Sequence, residues 1–193
     1  MLAAIAVVWG LSALMSFVPW LHAHGLYLRD AVRGGEWWRL VTAMWVHLDW
    51  RHWLADACAA AGLLLVAGRA VRAREALLVL VLCGIAVQVA QLRVPAIGWY
   101  GGLSGALHGL ALWAALSVMR VPGLPRAIGV LLSLGVIAKV WLEQSWLAPV
   151  VFDPSWGFGV VRAAHAAGAV AGLACWLLQD WWRGRRAPAP DRG

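Results

Sequence analysis

Apolar residues run along this chain in long blocks, broken by short connections that carry arginine, glycine and tryptophan. Six blocks stand out, at roughly 2–21, 52–68, 75–92, 103–119, 127–147 and 159–180. Each is close to the roughly 20 residues with which an α-helix crosses a hydrocarbon core about 30 Å thick. The pattern predicts an all-α fold, a polytopic membrane protein built as a bundle of six transmembrane helices. Little of the 193-residue chain is left for a soluble domain. The expected organisation is one membrane domain over 1–182 and a tail over 183–193. The tail's RGRRAPAPDRG composition predicts disorder. The first block has no basic residue ahead of its apolar run and no clear small-residue cleavage site, so it reads as a span rather than a secretory signal.

Composition agrees with a lipid environment: 63% of residues are hydrophobic and 13% charged, against about half and about a quarter in soluble domains. The net charge of +7 would suggest nucleic acid in a soluble chain. Here the arginines gather at helix ends, so the partner is the lipid bilayer and no nucleic acid is expected. Arg69, Arg72 and Arg74, then Arg120 and Arg126, then Arg183, Arg185, Arg186 and Arg192 share one side of a six-span topology. The positive-inside rule makes that side cytoplasmic. Both termini are then cytoplasmic, and loops 22–51, 93–102 and 148–158 face outward. Arg29, Arg33, Arg39 and Arg51 run against this count. Their loop is rich in tryptophan and is expected to lie in the interface, partly helical. Cys58, Cys83 and Cys175 fall inside apolar blocks without CxxC spacing and read as buried packing residues. No internal repeat suggests an inverted-repeat transporter.

Polar groups inside a span are costly, and each is a candidate for function. At about 1.5 Å of rise per residue, Ser104, His165, Asp56, Gln88 and Lys139 each lie about 20–22 Å from the cytoplasmic end of their own block. His52 stands one turn higher. In a core about 30 Å thick they form one layer, about 8–10 Å below the outer boundary. Such a layer needs water from outside, as a hydrolase buried in a membrane would.

The fourth block opens Gly101-Gly102-Leu103-Ser104-Gly105-Ala106-Leu107-His108-Gly109. Serine becomes a nucleophile when a base takes its proton. Flanking glycines admit a close backbone or substrate, and a helix starting near Ser104 aims free N–H groups at a developing oxyanion. The sixth block carries Ala164-His165-Ala166-Ala167-Gly168-Ala169-Val170-Ala171-Gly172. His165, Gly168 and Gly172 share one helical face. Gly105 with Gly109, and Gly168 with Gly172, have the GxxxG spacing that lets membrane helices approach closely. The two spans are therefore expected to bring His165 to Ser104 as its general base. His108, one turn below Ser104, reads as a supporting partner or an alternative base, the latter with poor geometry from the same helix.

His47, His52 and Asp56 form a second cluster, with His52 and Asp56 on one face at i, i+4. The spacing also admits zinc, but a third clear ligand is not placed. Oxyanion support from His52 is the preferred reading, with no metal and with His47 holding the outer loop. Lys139 and Glu143, at i, i+4, read as a structural ion pair, with a role toward the substrate as the alternative. No carboxylate is placed near His165, which predicts a Ser–His dyad lacking an acid.

On these residues the chain resembles the rhomboid family of intramembrane serine proteases. The likeness covers nearly the whole chain: the apolar spans, GxSG opening the fourth and AHxxGxxxG in the sixth. Gly35-Glu36-Trp37-Trp38-Arg39-Leu40, running on to His47 and His52, looks like the family's WR-containing loop and the start of its second span. The resemblance implies Ser104 as nucleophile and His165 as general base. It implies an oxyanion hole from the Ser104 N–H and the His52 side chain, with Gly102 and Leu103 in support, and no cofactor. Asp56 stands where the family usually has asparagine; it either donates as a protonated acid, which burial favours, or orients His52. The GLSGALHG form looks most like the rhombosortase branch, associated with bacterial exported proteins that carry a C-terminal Gly-Gly motif, an apolar helix and a basic tail. That likeness implies a protein of the bacterial inner membrane and a transmembrane substrate with a weak, Gly-rich segment before its apolar helix. A general rhomboid protease with other substrates, an inactive rhomboid-like chaperone or adaptor, and a small transporter using the polar layer stay open.

Overall fold

The computed structural model describes residues 1–186, and they are mostly helical. Helix α1 (Leu2–Phe17) ends at Val18, where the chain turns by 96° into the short α2 (Pro19–Gly25). Proline offers no N–H to a helix and pushes the preceding residue toward extended backbone. Val18 accordingly sits at φ −91°, ψ 112°. The first apolar block therefore leaves its helix at Phe17, short of residue 21.

The long connection that follows is partly helical, as its composition predicts. It consists of β1 (Tyr27–Leu28), α3 (Arg29–Arg33), α4 (Arg39–Thr42) and a 3-10 turn (Ala43–Trp45). Then come α5 (Trp50–Ala67), α6 (Ala73–Gln91), β2 (Trp99–Tyr100), α7 (Ser104–Val118), α8 (Leu124–Glu143), β3 (Val151–Asp153), β4 (Phe158–Val160) and α9 (Arg162–Arg186). By length and apolarity α6 and α8 can each cross a membrane, and α1 with α2 would make a third, bent crossing. The fifth apolar block leaves its helix at Glu143, because Gln144 takes left-handed backbone at φ 46°. The sixth enters its helix at Arg162, after β4. Helix α9 continues to Arg186, into the stretch read as tail. The rest of that tail, 187–193, and the expectation of disorder there lie outside the described residues.

Helix α7 packs against α5, α6, α8 and α9 at once. A helix in that position must be apolar all round, and Leu110, Trp113, Ala114 and Ala115 are completely buried. Where it meets α9 the two backbones touch. A Cβ at Gly105 would stand 3.0 Å from the Ala164 carbonyl oxygen, and one at Gly109 would stand 2.6 Å from that of Gly168. From the other side, a Cβ at Gly168 or Gly172 would run into the carbonyl of Gly105 or Gly109. With 15 residues, α7 is about 22 Å long, shorter than a core of about 30 Å. That leaves room for a cavity above its first residue.

The three connections read as outward gather at one end of the bundle. β1 pairs antiparallel with β2, Tyr27 opposite Tyr100, and β3 with β4 forms a hairpin. The Arg29 guanidinium donates to the carbonyls of Gln91 and Val94. Arg39 is buried, donates to the carbonyls of Ala23 and Leu26, and pairs with Glu36 at 2.7 Å. Two arginines that run against the positive-inside count therefore serve as loop ties. The cysteines are free thiols: Cys83 is buried, Cys175 half-buried, and Cys58 exposed on α5 rather than packed inside.

Overpacking a close backbone contact costs about 1–3 kcal/mol. Gly168→Ala and Gly172→Ala should each lower stability by that order in thermal unfolding of the detergent-solubilised protein. Gly62→Ala on α5, where a Cβ meets nothing within 4 Å, should leave the unfolding temperature unchanged or slightly raised.

Candidate active site

Ser104 is the first residue of α7, and the turn before it fixes where its side chain emerges. Gly102 has φ +127°, and a Cβ there would stand 2.7 Å from the His52 ring, so both backbone and space require glycine. The Gly102 N–H donates to the Ala43 carbonyl at 3.2 Å. Gly102 thus contributes shape and is not a free donor. Leu103 is fully buried and its carbonyl accepts from the Leu107 N–H. The first N–H groups of α7, beginning with that of Ser104, have no intrahelical acceptor. The Tyr100 hydroxyl donates to the Gly102 carbonyl at 3.1 Å. Burial pushes this phenol up to about 12, which keeps it protonated as a donor.

Across the glycine seam, His165 Nε2 lies 3.3 Å from Ser104 Oγ. His108 Nδ1 donates to the Ser104 carbonyl oxygen at 2.7 Å. Its ring stacks on that of His165, with centroids 4.2 Å apart and planes 14° apart. His108 therefore supports the face of His165 and does not point at Oγ as an alternative base.

A carboxylate closes the far side of His165. Glu143 Oε2 lies 2.7 Å from His165 Nδ1. The other oxygen, Oε1, accepts from Lys139 Nζ at 2.7 Å. Arg162 donates to the Glu143 backbone carbonyl at 3.0 Å. The expectation of no carboxylate near His165 is overturned: the Lys139–Glu143 pair is present but reaches past its own helix. The chain leaves α8 at Glu143, and this end of α8 meets the start of α9.

His52 is fixed by the N-terminus of α5, where Asp49 Oδ1 accepts from the His52 N–H at 2.8 Å as a helix cap. The Leu48 N–H faces His52 Nδ1 at 3.5 Å. A backbone N–H can only donate, so neutral His52 carries its proton on Nε2. That N–H points at Asp56 Oδ2, 3.4 Å away, and His47 Nε2 lies 3.2 Å from the same oxygen. An oxygen receiving the His52 ring N–H is an acceptor. Of the two roles open to Asp56, orienting His52 is the one this geometry fits. The His47 N–H donates to Ser16 Oγ at 2.9 Å, which ties the loop to α1. Burial pushes the His47 imidazole below its ordinary range and keeps the ring neutral.

Ser104, His165, His52, Asp56, Lys139 and Glu143 all line one cavity of about 740 Å³. The rings of Trp156 and Phe158, from the β3–β4 hairpin, lie against His52 with centroids 6.0 and 5.2 Å away. Gln88, counted in the same layer, is buried apart from the cavity lining and its amide has no protein partner. Compared with known families, residues 34–179 match the Rhomboid domain. That is more than half of the chain. The chain belongs to the rhomboid family. Rhomboid proteins are generally serine proteases, and the domain makes this a multi-pass membrane protein. A search of curated proteins returned no match.

Within this rhomboid domain a metal is the rival use for the His47, His52 and Asp56 cluster, whose ligand atoms lie within 4.8 Å of one another. Two imidazoles and a carboxylate are zinc-type donors. Ligation by His52 Nε2, however, would move the ring proton to Nδ1, directly against the Leu48 N–H. The cluster is built to present an N–H, not a lone pair. Nitrogen-15 NMR of histidine-labelled protein should place the His52 proton on Nε2, and stoichiometric zinc should leave that resonance unmoved. A zinc-induced shift of His47 and His52 together would restore the metal reading.

Proposed function

We propose that this rhomboid-family chain is an intramembrane serine endopeptidase that cuts a membrane-anchored protein near the outer face of the membrane. The observation that carries the reading is the 3.3 Å contact between Ser104 Oγ and His165 Nε2, at the head of a helix and in the wall of an open cavity. Oγ attacks the scissile carbonyl carbon while its proton passes to Nε2. The carbonyl oxygen becomes an oxyanion, received by the Ser104 N–H and by the Nε2–H of His52, which turns to it from its long 3.4 Å contact with Asp56 Oδ2. As the C–N bond breaks, His165 returns the proton to the leaving nitrogen. Water then repeats the sequence on the acyl-enzyme and frees Ser104. His52 is the side-chain donor in this scheme, aimed by Asp56.

The topology that goes with this reading is a six-span protein of the bacterial inner membrane with both termini cytoplasmic. Its supports are the arginine distribution and the gathering of loops 22–51, 93–102 and 148–158 around the site. A serine below the membrane surface cannot attack an intact helix, whose carbonyls are held in its own hydrogen bonds. The substrate must unwind there, and glycine unwinds most cheaply. That fits the substrate which the likeness to the rhombosortase branch implies, the C-terminal sorting helix of exported proteins: a Gly-Gly segment, an apolar helix and basic residues that stay inside.

Ser104→Ala and His165→Ala should each abolish cleavage of a membrane-anchored reporter while the protein still accumulates. His52→Ala should slow cleavage about 10²–10³-fold, the usual cost of one oxyanion donor. Mass spectrometry of exported proteins should find intact C-terminal helices only in a strain lacking this chain. Unchanged processing in both dyad variants would leave the adaptor reading instead. Identical C-termini in both strains, with other membrane proteins changed, would leave a general rhomboid protease.

A further inference from the structure

We infer that Glu143 is the third member of the catalytic group, a positioning carboxylate that makes Ser104, His165 and Glu143 a triad spanning α7, α9 and α8. This rests on the serine-protease reading and adds a residue to it. An ionised carboxylate can only accept hydrogen bonds. With Glu143 Oε2 2.7 Å from His165 Nδ1, that nitrogen carries the ring proton. Nε2 is then left as a lone pair toward Ser104 Oγ, the tautomer a general base requires. When Nε2 takes the serine proton, the imidazolium keeps its Nδ1–H on the carboxylate and its charge is met where it forms. The glutamate touches neither substrate nor Oγ; it acts through His165.

The groups facing Glu143 come from three helices. Lys139 of α8 holds Oε1, His165 of α9 holds Oε2, and Arg162 of α9 holds the backbone carbonyl. His108 of α7 lies behind His165 in the stack. The glutamate side chain is 14% exposed and that of Lys139 is 51% exposed. The acid is therefore sheltered while its counter-charge opens to the cavity. A purely structural Lys–Glu pair could sit anywhere along α8, whereas this one delivers its second oxygen to the one ring nitrogen that sets the tautomer.

Lys139 gives the test its power. In Glu143→Gln, the ammonium of Lys139 can bond only to the amide oxygen, which turns the amide NH2 toward His165 Nδ1. An NH2 there donates, so Nδ1 must accept and the ring proton moves to Nε2, the wrong tautomer for a base. The reporter cleavage rate constant of the full-length protein in bilayers should fall about 10⁴-fold, the scale of a tautomer trap in a serine triad. The Lys139→Met single variant supplies the reference rate for the double variant. The double variant frees the amide to flip its oxygen toward Nδ1 and should recover at least about tenfold over Glu143→Gln. Glu143→Asp, which keeps the charge, should also recover most of that loss. In nitrogen-15 NMR, wild type should show the His165 proton on Nδ1 and Glu143→Gln should show it on Nε2. A Glu143→Gln rate within threefold of wild type would overturn the inference. So would a loss that neither Lys139→Met nor Glu143→Asp relieves, since that is the behaviour of a helix tether. If Glu143→Gln does not accumulate, the wild-type spectrum decides: a proton on Nε2 of His165 rejects the triad. Failure of the protease reading is distinct, because Ser104→Ala would then process the reporter like wild type.

Discussion

The backbone contact between α7 and α9 is the constraint on which the site depends. In lipid no hydrophobic force draws two apolar helices together, so association rests on close packing. Gly105 and Gly109 on one helix, with Gly168 and Gly172 on the other, remove every side chain that would hold the backbones apart. The approach places the start of α9 beside the start of α7, and the Ser104–His165 distance follows from it. Within a soluble helix each glycine would cost roughly 1 kcal/mol relative to alanine. In a membrane, where backbone groups have no water to turn to, a glycine-rich helix keeps its hydrogen bonds and the close seam is retained.

Around this seam the remaining groups are held by unequal means. Helix α7 is buried on all sides, and α5 presents His52 from a capped first turn braced by His47 and Asp56. Helix α8 is different: of its 20 residues only Gly129, Ser133 and Val136 are buried. Yet its last residue carries the carboxylate on His165. The orientation of the imidazole is thus linked to the least enclosed of the long helices, with the Arg162 bond to the Glu143 carbonyl and the His165 bond to its side chain joining α8 to α9.

Much of this was legible in the order of residues. The apolar blocks placed the long helices, and the paired GxxxG faces placed α7 on α9, because both signals are properties of one helix read along its own axis. Two helix ends moved for local reasons: Pro19 stops α1 at Phe17, and left-handed Gln144 stops α8 at Glu143. Glu143 is legible only in part: the pair with Lys139 is present, and the bond to His165 is not encoded in the spacing. Its i, i+4 partner Lys139 satisfied a local account of the charge, while the bond to His165 crosses between helices and depends on a turn geometry that spacing does not encode. The role of Gly102 is half legible: the sequence shows a glycine ahead of the serine, but not that its N–H is spent on Ala43, a loop residue far away in sequence. The strand pairs are two or three residues long, too short to leave an alternating pattern.

The central claim is that closeness to His165 across the glycine seam makes Ser104 a nucleophile. Peptide mapping after treatment with a fluorophosphonate tests it most directly, because the probe reacts with an activated serine whatever the natural substrate is. The account predicts an adduct on Ser104 in wild type and its loss in His165→Ala, with the other serines unmodified in both. No adduct in wild type, or an adduct on Ser104 that persists undiminished in His165→Ala, would contradict it.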